Sequence, residues 1–380
     1  MKYLITLKPI DKYFFGGDMT FQVGDDEKNK HNEQYASYII ESNQYPQQTT
    51  LLGMLRYLIL SNNDVAFNRS IRKIKDNKEA SKLIGKNGFM VTERSIDKSG
   101  ESRFGKIKSL SPCFLQIKED NKWHSLLPAP KDYGYTIRFE KGVKASYNLN
   151  SFHEQPIVAG YDPKDWKEPL FLYQQKAKES KNIFCLDTRV GIDKDYSGTV
   201  KDKSFFKQIS YRLGSQDENI RFAFYAEIDD SIKSIFPSYS NSIVSIGGDS
   251  SQFLLTIEED PNSKIEYDEN YNTGKDLHSD CKVILLSDAY LTAKEAAQCS
   301  FAITDIIPFR FLTAANPDSD EERNYLITSK QFIRSKRYNL YKKGSVFFCT
   351  SAQKDKLIES LQAKLDFREI GYNAYQIINK

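Results

Sequence analysis

Four histidines are the side chains of this sequence best suited to general acid–base chemistry near neutral pH: His31, His124, His153 and His278. Each stands alone in a polar stretch. His31 follows soon after a glycine pair, which makes it the best candidate for an acid or base in metal-free RNA cleavage. Because a loop histidine without a partner is more often inert, we predict no catalytic residue and no enzymatic activity.

Metal chemistry has two candidate motifs, since Gly-Gly-Asp occurs at residues 16–18 and again at 247–249. The tripeptide is similar to the palm motif of nucleotide cyclases and polymerases, whose two-metal chemistry needs a second acidic residue beside it. Met19 and Ser250 occupy the positions that follow the two motifs, so neither motif has this second acidic residue. The five cysteines lie far apart and include no C-x-x-C pair, so they indicate neither a zinc site nor a disulfide framework. We predict no metal and no cofactor.

Binding of phosphate groups is the chemistry that the glycine pair suits better. Phe15, Gly16 and Gly17 form a loop in which glycine lets the backbone approach a ligand closely. Farther along, Pro46 and the threonines Thr49 and Thr50 are placed to end an extended segment and to cap the helix that follows. Backbone amides at a helix start attract anions, so this loop and this helix start are predicted phosphate contacts.

The middle of the chain, residues 185–213, has the pattern of a long hairpin. A short apolar run leads to a small-residue turn at Ser197–Thr199 and then to a returning arm that carries aromatic and basic residues. Such a finger suits a phosphate backbone and unstacked bases. The predicted RNA contacts here are Thr188, Arg189, Gly191, Ile192, Lys201 and Lys207. Lys106, and Arg138 in a loop-like segment, are predicted phosphate contacts elsewhere.

Charge is unevenly distributed although the formal net charge is only +3. Residues 323–354 contain eight basic residues and no acidic one, whereas residues 216–322 contain twenty-one acidic and seven basic residues. Basic segments favour a polyanion, and the acidic segment favours a different surface. No apolar run approaches the length of a membrane span, and the first strand lacks a signal-peptide core. We therefore expect a cytoplasmic protein with no membrane partner.

The elements that must position these residues are short strands interrupted by one or two helices in each half of the chain. Alternating apolar residues predict a strand at 2–7, and apolar runs predict strands at 221–228 and 253–257. Helices are predicted at about 51–60 and 351–365, where apolar residues form a stripe, and near 77–84. This arrangement predicts an α+β fold of two ferredoxin-like (RRM-like) domains, with a protruding β-hairpin thumb and loop insertions. The predicted divisions are residues 1–150, with a basic insertion at about 61–108, then 151–215 with the thumb, then 216–380.

The amino-acid sequence of several blocks resembles that of the RAMP superfamily of CRISPR effector subunits, in particular the third subunit of Cmr (type III-B) complexes. The central block is R-V-G-I-D at 189–193, followed by a small-residue turn and a basic, aromatic return. The other matching blocks, in the expected order, are the Phe14-Phe15 loop, Pro46 to Arg56, Gly105 to Asp132, Gly160 to Pro163, Gly247-Gly248 and Lys343 to Phe348.

This resemblance implies a non-catalytic, crRNA-binding subunit of a ribonucleoprotein for antiviral defence. It implies that the chain caps the repeat-derived 5′ handle of the guide RNA and that the hairpin enters at the boundary between handle and guide. The implied partners are the crRNA, the large polymerase/cyclase-like subunit, the backbone RAMP subunits and, indirectly, the target RNA. The alternative is a RAMP endoribonuclease that processes precursor crRNA with a histidine.

Overall fold

The computed structural model describes residues 1–17, 39–85, 103–148, 151–162, 164, 167–214, 219–262, 264–265, 281–314 and 332–379. Within them the protein is a mixed α/β structure in which strands greatly outnumber helices. In chain order, the elements of the first half are β1 (Lys2–Pro9), β2 (Ile39–Glu41), α1 (Gln48–Ser61), β3 (Phe67–Asn68), β4 (Lys73–Ile74), α2 (Asn77–Ile84), β5 (Ile107–Leu110), β6 (Phe114–Glu119), β7 (Lys122–Pro128), β8 (Arg138–Asn148) and β9 (Ser151–Ala159).

The rest of the chain adds further strands and four more α-helices in the described part. The elements up to the middle of the second half are β10 (Leu170–Tyr173), β11 (Lys176–Glu179), α3 (Ser180–Ile183), β12 (Phe184–Lys194), β13 (Val200–Leu213), β14 (Ile220–Ile228), β15 (Ser242–Ser245), β16 (Gln252–Glu259) and β17 (Cys281–Leu285). The remaining elements are α4 (Ala293–Ala296), β18 (Phe301–Ile303), β19 (Ile306–Phe309), β20 (Leu312–Ala314), β21 (Phe332–Arg334), β22 (Tyr338–Tyr341), β23 (Val346–Cys349), α5 (Ser351–Gln362), α6 (Leu365–Arg368) and β24 (Tyr375–Asn379).

One large antiparallel sheet, called here the main sheet, organises the molecule. Its strands follow the order β11-β10-β7-β6-β14-β1-β16-β15, and β5 also pairs with β14. β1 lies near its centre because it pairs with β14 on one side and with β16 on the other. β14 is buried along almost its whole length, which explains why its sequence reads as a continuous apolar run.

The two faces of the main sheet bury different partners. On one face, Phe222 and Phe224 pack with Tyr3 and with the apolar side of α1 in the largest core cluster. On the other face, Phe114 and Tyr225 form a smaller cluster that Ile378 of β24 contacts. Each fully buried phenylalanine contributes roughly 1.5–3 kcal/mol relative to an exposed one.

A second antiparallel sheet has the order β18-β23-β17-β24 and its own core. α5 packs on it through Leu357 and Leu361, which contact Phe347 and Cys349 of β23. A capping box at Thr350 and Gln353 fixes the start of α5. The predicted strands and helices of this region are present, although the long predicted helix is two helices, α5 and α6.

The central hairpin is present as β12 and β13, which pair from Phe184↔Leu213 to Lys194↔Val200. β2 joins β13 in parallel, so that the order of this three-stranded sheet is β12-β13-β2. The tip turn is held by Asp195, whose carboxylate accepts hydrogen bonds from the amides of Ser197 and Thr199, each at 2.9 Å. Gly198 supplies the positive φ that this turn needs.

Two local predictions were wrong. The residue that caps α1 is Gln47, whose side chain makes no capping hydrogen bond, because the helix begins at Gln48, before the threonines. The segment around Arg138 is the long antiparallel hairpin β8–β9, not a loop. None of the described helices combines the length and the apolar character that crossing a bilayer requires.

The division at residue 216 stays a prediction. β14 and β16 lie after it in the chain, and both pair with β1, which lies before it.

Candidate nucleic-acid interface

The first glycine loop, residues 13–17, is fastened to the base of the hairpin. The amide of Tyr13 donates to the carbonyl oxygen of Tyr211 at 2.8 Å, and the amide of Tyr211 donates back to Tyr13 at 3.1 Å. The two rings lie 6.3 Å apart between centroids. The structure thus brings the loop and the returning arm of the hairpin together, as a shared interface requires.

Phe15 lies inside the protein rather than on its surface. Its ring is 3% exposed and stacks on Phe253 at 5.7 Å. Its amide donates to Oγ of Ser42 at 2.8 Å. Phe15 therefore anchors the loop, and its ring does not lie where a base could stack on it.

Gly16 and Gly17 are half-buried at the surface end of this loop. Asn43 holds them, because its amide donates to Phe15 O at 2.8 Å and its Nδ2 donates to Gly16 O at 3.3 Å. A Cβ atom on Gly17 would lie 3.0 Å from Oδ1 of Asn43. The paired glycines thus let the backbone run close to Asn43 while remaining accessible.

A second glycine turn, residues 247–251, packs against the first loop. The amide of Gly248 donates to Phe14 O at 2.8 Å, and the Phe14 amide donates to Oγ of Ser251 at 2.9 Å. Asp249 accepts a hydrogen bond from Nε2 of Gln208 on β13 at 3.5 Å. The sequence analysis noted this glycine pair but did not include it among the predicted site residues. The feature that could have revealed it is the repetition of the Gly-Gly pair in the sequence.

Asp187 ties the hairpin root, residues 184–189 and 208–213, to the start of the first loop. Its carboxylate lies 3.0 Å from Nζ of Lys12 and 3.0 Å from an Nη atom of Arg212. The hydrogen bond from Lys12, followed by that from Arg212, holds the pKa of Asp187 below its ordinary value. The root is therefore fixed by a charged cluster as well as by strand pairing.

β12 presents its predicted contacts on both faces, from within the root to just beyond it. Thr188 and Ile192 share one face with Val190, and Arg189 and Gly191 lie on the other. Thr188, Arg189 and Ile192 are exposed, and Gly191 is half-buried. Among the described residues, no ion pair involves Arg189.

The basic residues of the returning arm have different positions. Lys207 is half-buried and lies opposite Val190. Lys201 lies on β13 close to the tip. The structure thus places both predicted lysines on the arm that faces β2 and the loop.

Thr49 and Thr50 lie half-buried in the first turn of α1. Tyr45, just before this turn, packs its ring 5.5 Å from that of Phe184 at the hairpin root. Nζ of Lys343 lies 3.0 Å from the centroid of the Tyr45 ring. Tyr45 thus connects the helix start to the root.

Lys106 and Arg138 lie elsewhere. Nζ of Lys106 lies 3.4 Å from Asp229, whose backbone follows the end of β14 that pairs with the start of β1. The first loop follows the opposite end of β1, about 20 Å away at the usual rise of a strand. Arg138 is exposed at the start of β8. The structure does not place these two residues at the hairpin root.

The residues proposed for chemistry remain scattered in the described part of the chain. His124 is half-buried on β7 and His153 lies on β9, whereas His31 and His278 lie outside the described residues. No group of three or more histidine, cysteine or carboxylate side chains in these residues is arranged to hold a metal ion.

Two solved structures resemble the whole chain at low identity. A subunit of the type III-B Cmr-beta complex bound to cognate target RNA and AMPPnP is 13% identical with a TM-score of 0.48, and one of the same complex bound to cognate target RNA is 14% identical with a TM-score of 0.49. In both cases the alignment covers 99% of this chain and 96% of the other. No curated protein sequence matches the chain.

The family profile described as CRISPR-associated protein (Cas_Cmr3) matches residues 5–166 and 166–380, which is almost the entire sequence. The resemblance to the third subunit of Cmr (type III-B) complexes is thereby confirmed. The chain belongs to the Cas_Cmr3 family of CRISPR-associated proteins.

Proposed function

We propose that this protein is the non-catalytic subunit of a type III-B CRISPR effector complex that holds the 5′ handle of the crRNA. In this proposal the hairpin β12–β13 is the protruding thumb, and the main and second sheets belong to two ferredoxin-like units. The first loop, the second glycine turn and the hairpin root form one cradle for the handle. Family membership supports the complex, and the geometry of these three segments supports the cradle.

The observation that carries the proposal is the direct joining of these segments. Tyr13 bonds to Tyr211 on β13, and Phe14 bonds to Gly248 and Ser251. The exposed Arg189 lies five residues beyond Phe184, roughly 17 Å along β12. A phosphate chain running from the Gly16–Gly17 backbone toward Arg189 would meet backbone and guanidinium donors in succession.

Partner docking belongs to a different surface in this proposal. The acidic residues of segment 216–322 that lie outside the second glycine turn and the main sheet would repel a phosphate backbone, so we assign that part of the segment to the large polymerase/cyclase-like subunit or to the backbone RAMP subunits. Target RNA would be reached only through the guide.

Salt dependence tests the cradle directly. Arg189→Ala and Lys207→Ala should each reduce the slope of log binding constant against log salt by about one unit, because each removes one phosphate contact. The probe is a single-stranded RNA that carries the repeat-derived 5′ handle, measured by fluorescence anisotropy. Lys78→Ala on the exposed side of α2 is the charge-matched control and should leave the slope unchanged.

Unchanged slopes for both hairpin variants would contradict the cradle. A small RNA of uniform 5′ end that co-purifies with the chain and its partner subunits is also expected. Cleavage of a repeat-containing precursor by the purified chain, lost in His31→Ala, would instead establish the endoribonuclease.

A further inference from the structure

A cavity of about 640 Å³ opens on the face of the main sheet that points away from the cradle. Tyr13 and Phe15 pack against Phe222 on one face of β14, and Arg221 projects from the other face. Part of this second face is covered by the small apolar cluster around Tyr225. The cavity begins where that cover ends, and the side chains that shape it are Gln116, Trp123, Arg221, Tyr225, Glu258 and Asp260.

Arg221 is the unusual group in this cavity, because it is 8% exposed yet has no carboxylate within ion-pair distance among the described residues. Its guanidinium lies over the indole of Trp123, with Cζ 3.7 Å from the ring centroid. Nε donates to Oε1 of Gln116 at 2.9 Å, and the described residues provide no acceptor for either Nη atom. Burial lowers the pKa of Arg221 to about 10.

The charges around the cavity restrict what would bind there. Glu258, Asp260 and Lys264 line the cavity, and Oδ1 of Asp260 already accepts a hydrogen bond from the amide of Asn262 at 3.0 Å. A partner carboxylate or a free phosphate would be attracted to Arg221 but repelled by the two acidic side chains at the same rim. A neutral, planar group with amino donors could stack on the guanidinium of Arg221 and donate hydrogen bonds to an acidic side chain, since carboxylates accept hydrogen bonds from exocyclic amino groups.

We propose that this cavity binds an unpaired, amino-bearing nucleobase of an RNA strand, stacked on the Arg221–Trp123 pair. Bases stack on arginine planes as well as on aromatic rings, and the volume suits one nucleotide. Exposed Lys118 is the cross-strand partner of Trp123 on β6, so it lies on the same face of the sheet and in this proposal meets the adjoining phosphate. This site lies on the opposite face from the cradle and does not depend on it.

Fluorescence of Trp123 provides the test, because the sequence contains only one other tryptophan, Trp166. The full-length Trp166→Phe variant is titrated with oligo(A), oligo(U), AMP and UMP. We expect saturable quenching with oligo(A) and AMP and weaker binding of the uracil ligands, which lack the amino group. The comparison of oligo(A) with AMP distinguishes a strand from a free nucleotide.

Arg221→Lys keeps the charge but removes the plane, so it should weaken oligo(A) binding roughly 5- to 100-fold at this site. Lys78→Ala, on the exposed side of α2 and outside both proposed sites, is the control and should leave the AMP-induced quenching unchanged. If the proposed cradle did not bind RNA but the cavity did bind a base, AMP would still quench the fluorescence of Trp123. If Trp166→Phe fails to fold, ultraviolet crosslinking of wild-type protein to oligo(A) should label the peptide that contains Trp123.

Quenching by neither oligo(A) nor AMP would overturn the proposal, as would equal quenching in Arg221→Lys. Loss of a partner subunit from the assembled complex in Arg221→Lys, without any change in RNA binding, would also overturn it and would make the cavity a protein-docking site.

Discussion

Gly247 and Gly198 have the same backbone angle, φ of 84°, in two different surroundings. A Cβ atom on Gly247 would lie 2.4 Å from the carbonyl oxygen of Phe14, which is closer than non-bonded atoms can approach. A Cβ atom on Gly198, at the hairpin tip, would meet nothing within 4 Å. The second glycine turn thus needs glycine for close packing as well as for its angle.

This pair of glycines allows the cost of the contact to be separated from the cost of the angle. Gly198→Ala should lower the free energy of unfolding by about 1–2 kcal/mol, since the left-handed region is unfavourable for alanine. Gly247→Ala should lose the same amount and a further 1–3 kcal/mol or so from overpacking against Phe14. Urea denaturation of the two variants measures the difference. Equal losses would mean that the turn moves away freely and does not hold the loop.

At the scale of elements, the attachment of the hairpin root rests on Asp187, which contacts Lys12 and Arg212. The root also includes Tyr211, whose hydroxyl donates to Oε1 of Glu41 on β2 at 3.2 Å. Burial, followed by the charge of Glu41, raises the pKa of Tyr211 to about 12. Tyr211 is thus uncharged at neutral pH, and the carboxylates that tie the hairpin root to the start of the first loop are Asp187 and Asp11, both of which pair with Arg212.

The pKa of Asp187 is lowered in the folded protein, mainly by Lys12. Its contribution to stability is therefore present above the pKa of an unfolded aspartate, about 4, and is lost as the pH falls through the lower folded value. We expect Asp187→Asn to melt at a lower temperature than wild type at neutral pH and the two melting temperatures to converge below about pH 4. Asp120→Asn in the exposed β6–β7 turn is the control. A constant difference at all pH values would contradict this role.

Much of the local structure could be predicted from sequence, because it depends on local pattern. The alternation of Tyr3, Ile5 and Leu7 predicts β1, and α2 begins at Asn77 and ends at Ile84, as expected. β8 and β9 were missed because glycine and charged residues interrupt their alternation. The helix start was misplaced because its contacts are tertiary: Nε2 of Gln48 donates to carbonyl oxygens of Ser111 and Ile370.

At the scale of the whole molecule, a buried ion pair joins the main sheet to the second sheet. Nζ of Lys282, on β17, lies 2.6 Å from a carboxylate oxygen of Asp132, which follows β7. Both residues are buried, and the Lys282 ammonium also lies 5.2 Å from the ring centroid of Phe348. Beside them, the amide of Lys131 donates to Gly344 O at 2.8 Å. The two sheets are therefore linked by polar as well as apolar contacts.

Removal of one charge from this pair leaves the other buried without its counterion. Asp132→Asn should therefore reduce the free energy of unfolding by about 3–5 kcal/mol. Glu79→Gln, which breaks the exposed pair with Lys82 on α2, should cost less than about 0.5 kcal/mol. Chemical denaturation measures both. A loss for Asp132→Asn no larger than that of the control would mean that the sheets are held together without this pair.

The arrangement of the sheets could not be predicted from the sequence pattern, for a physical reason. β1 pairs with β14 and β16, which lie more than 200 residues away in the sequence. An alternating pattern predicts a strand but does not identify the strand with which it pairs. For the same reason, the loop at Tyr13 and the turn at Gly247 gave no sign of their contact before the fold was known. The opposite location of Lys106 follows from the direction of β1, which a single sequence does not reveal.

The position of β12 at the outside of its three-stranded sheet has a consequence for the handling of this protein. An edge strand with exposed Leu186 and Val190 is a template on which a second copy could add its own strand. Exposed Arg189 and Lys194 place like charges along that edge and so keep neighbouring copies apart. Neutralising these charges to weaken a polyanion contact therefore also removes a barrier to self-association.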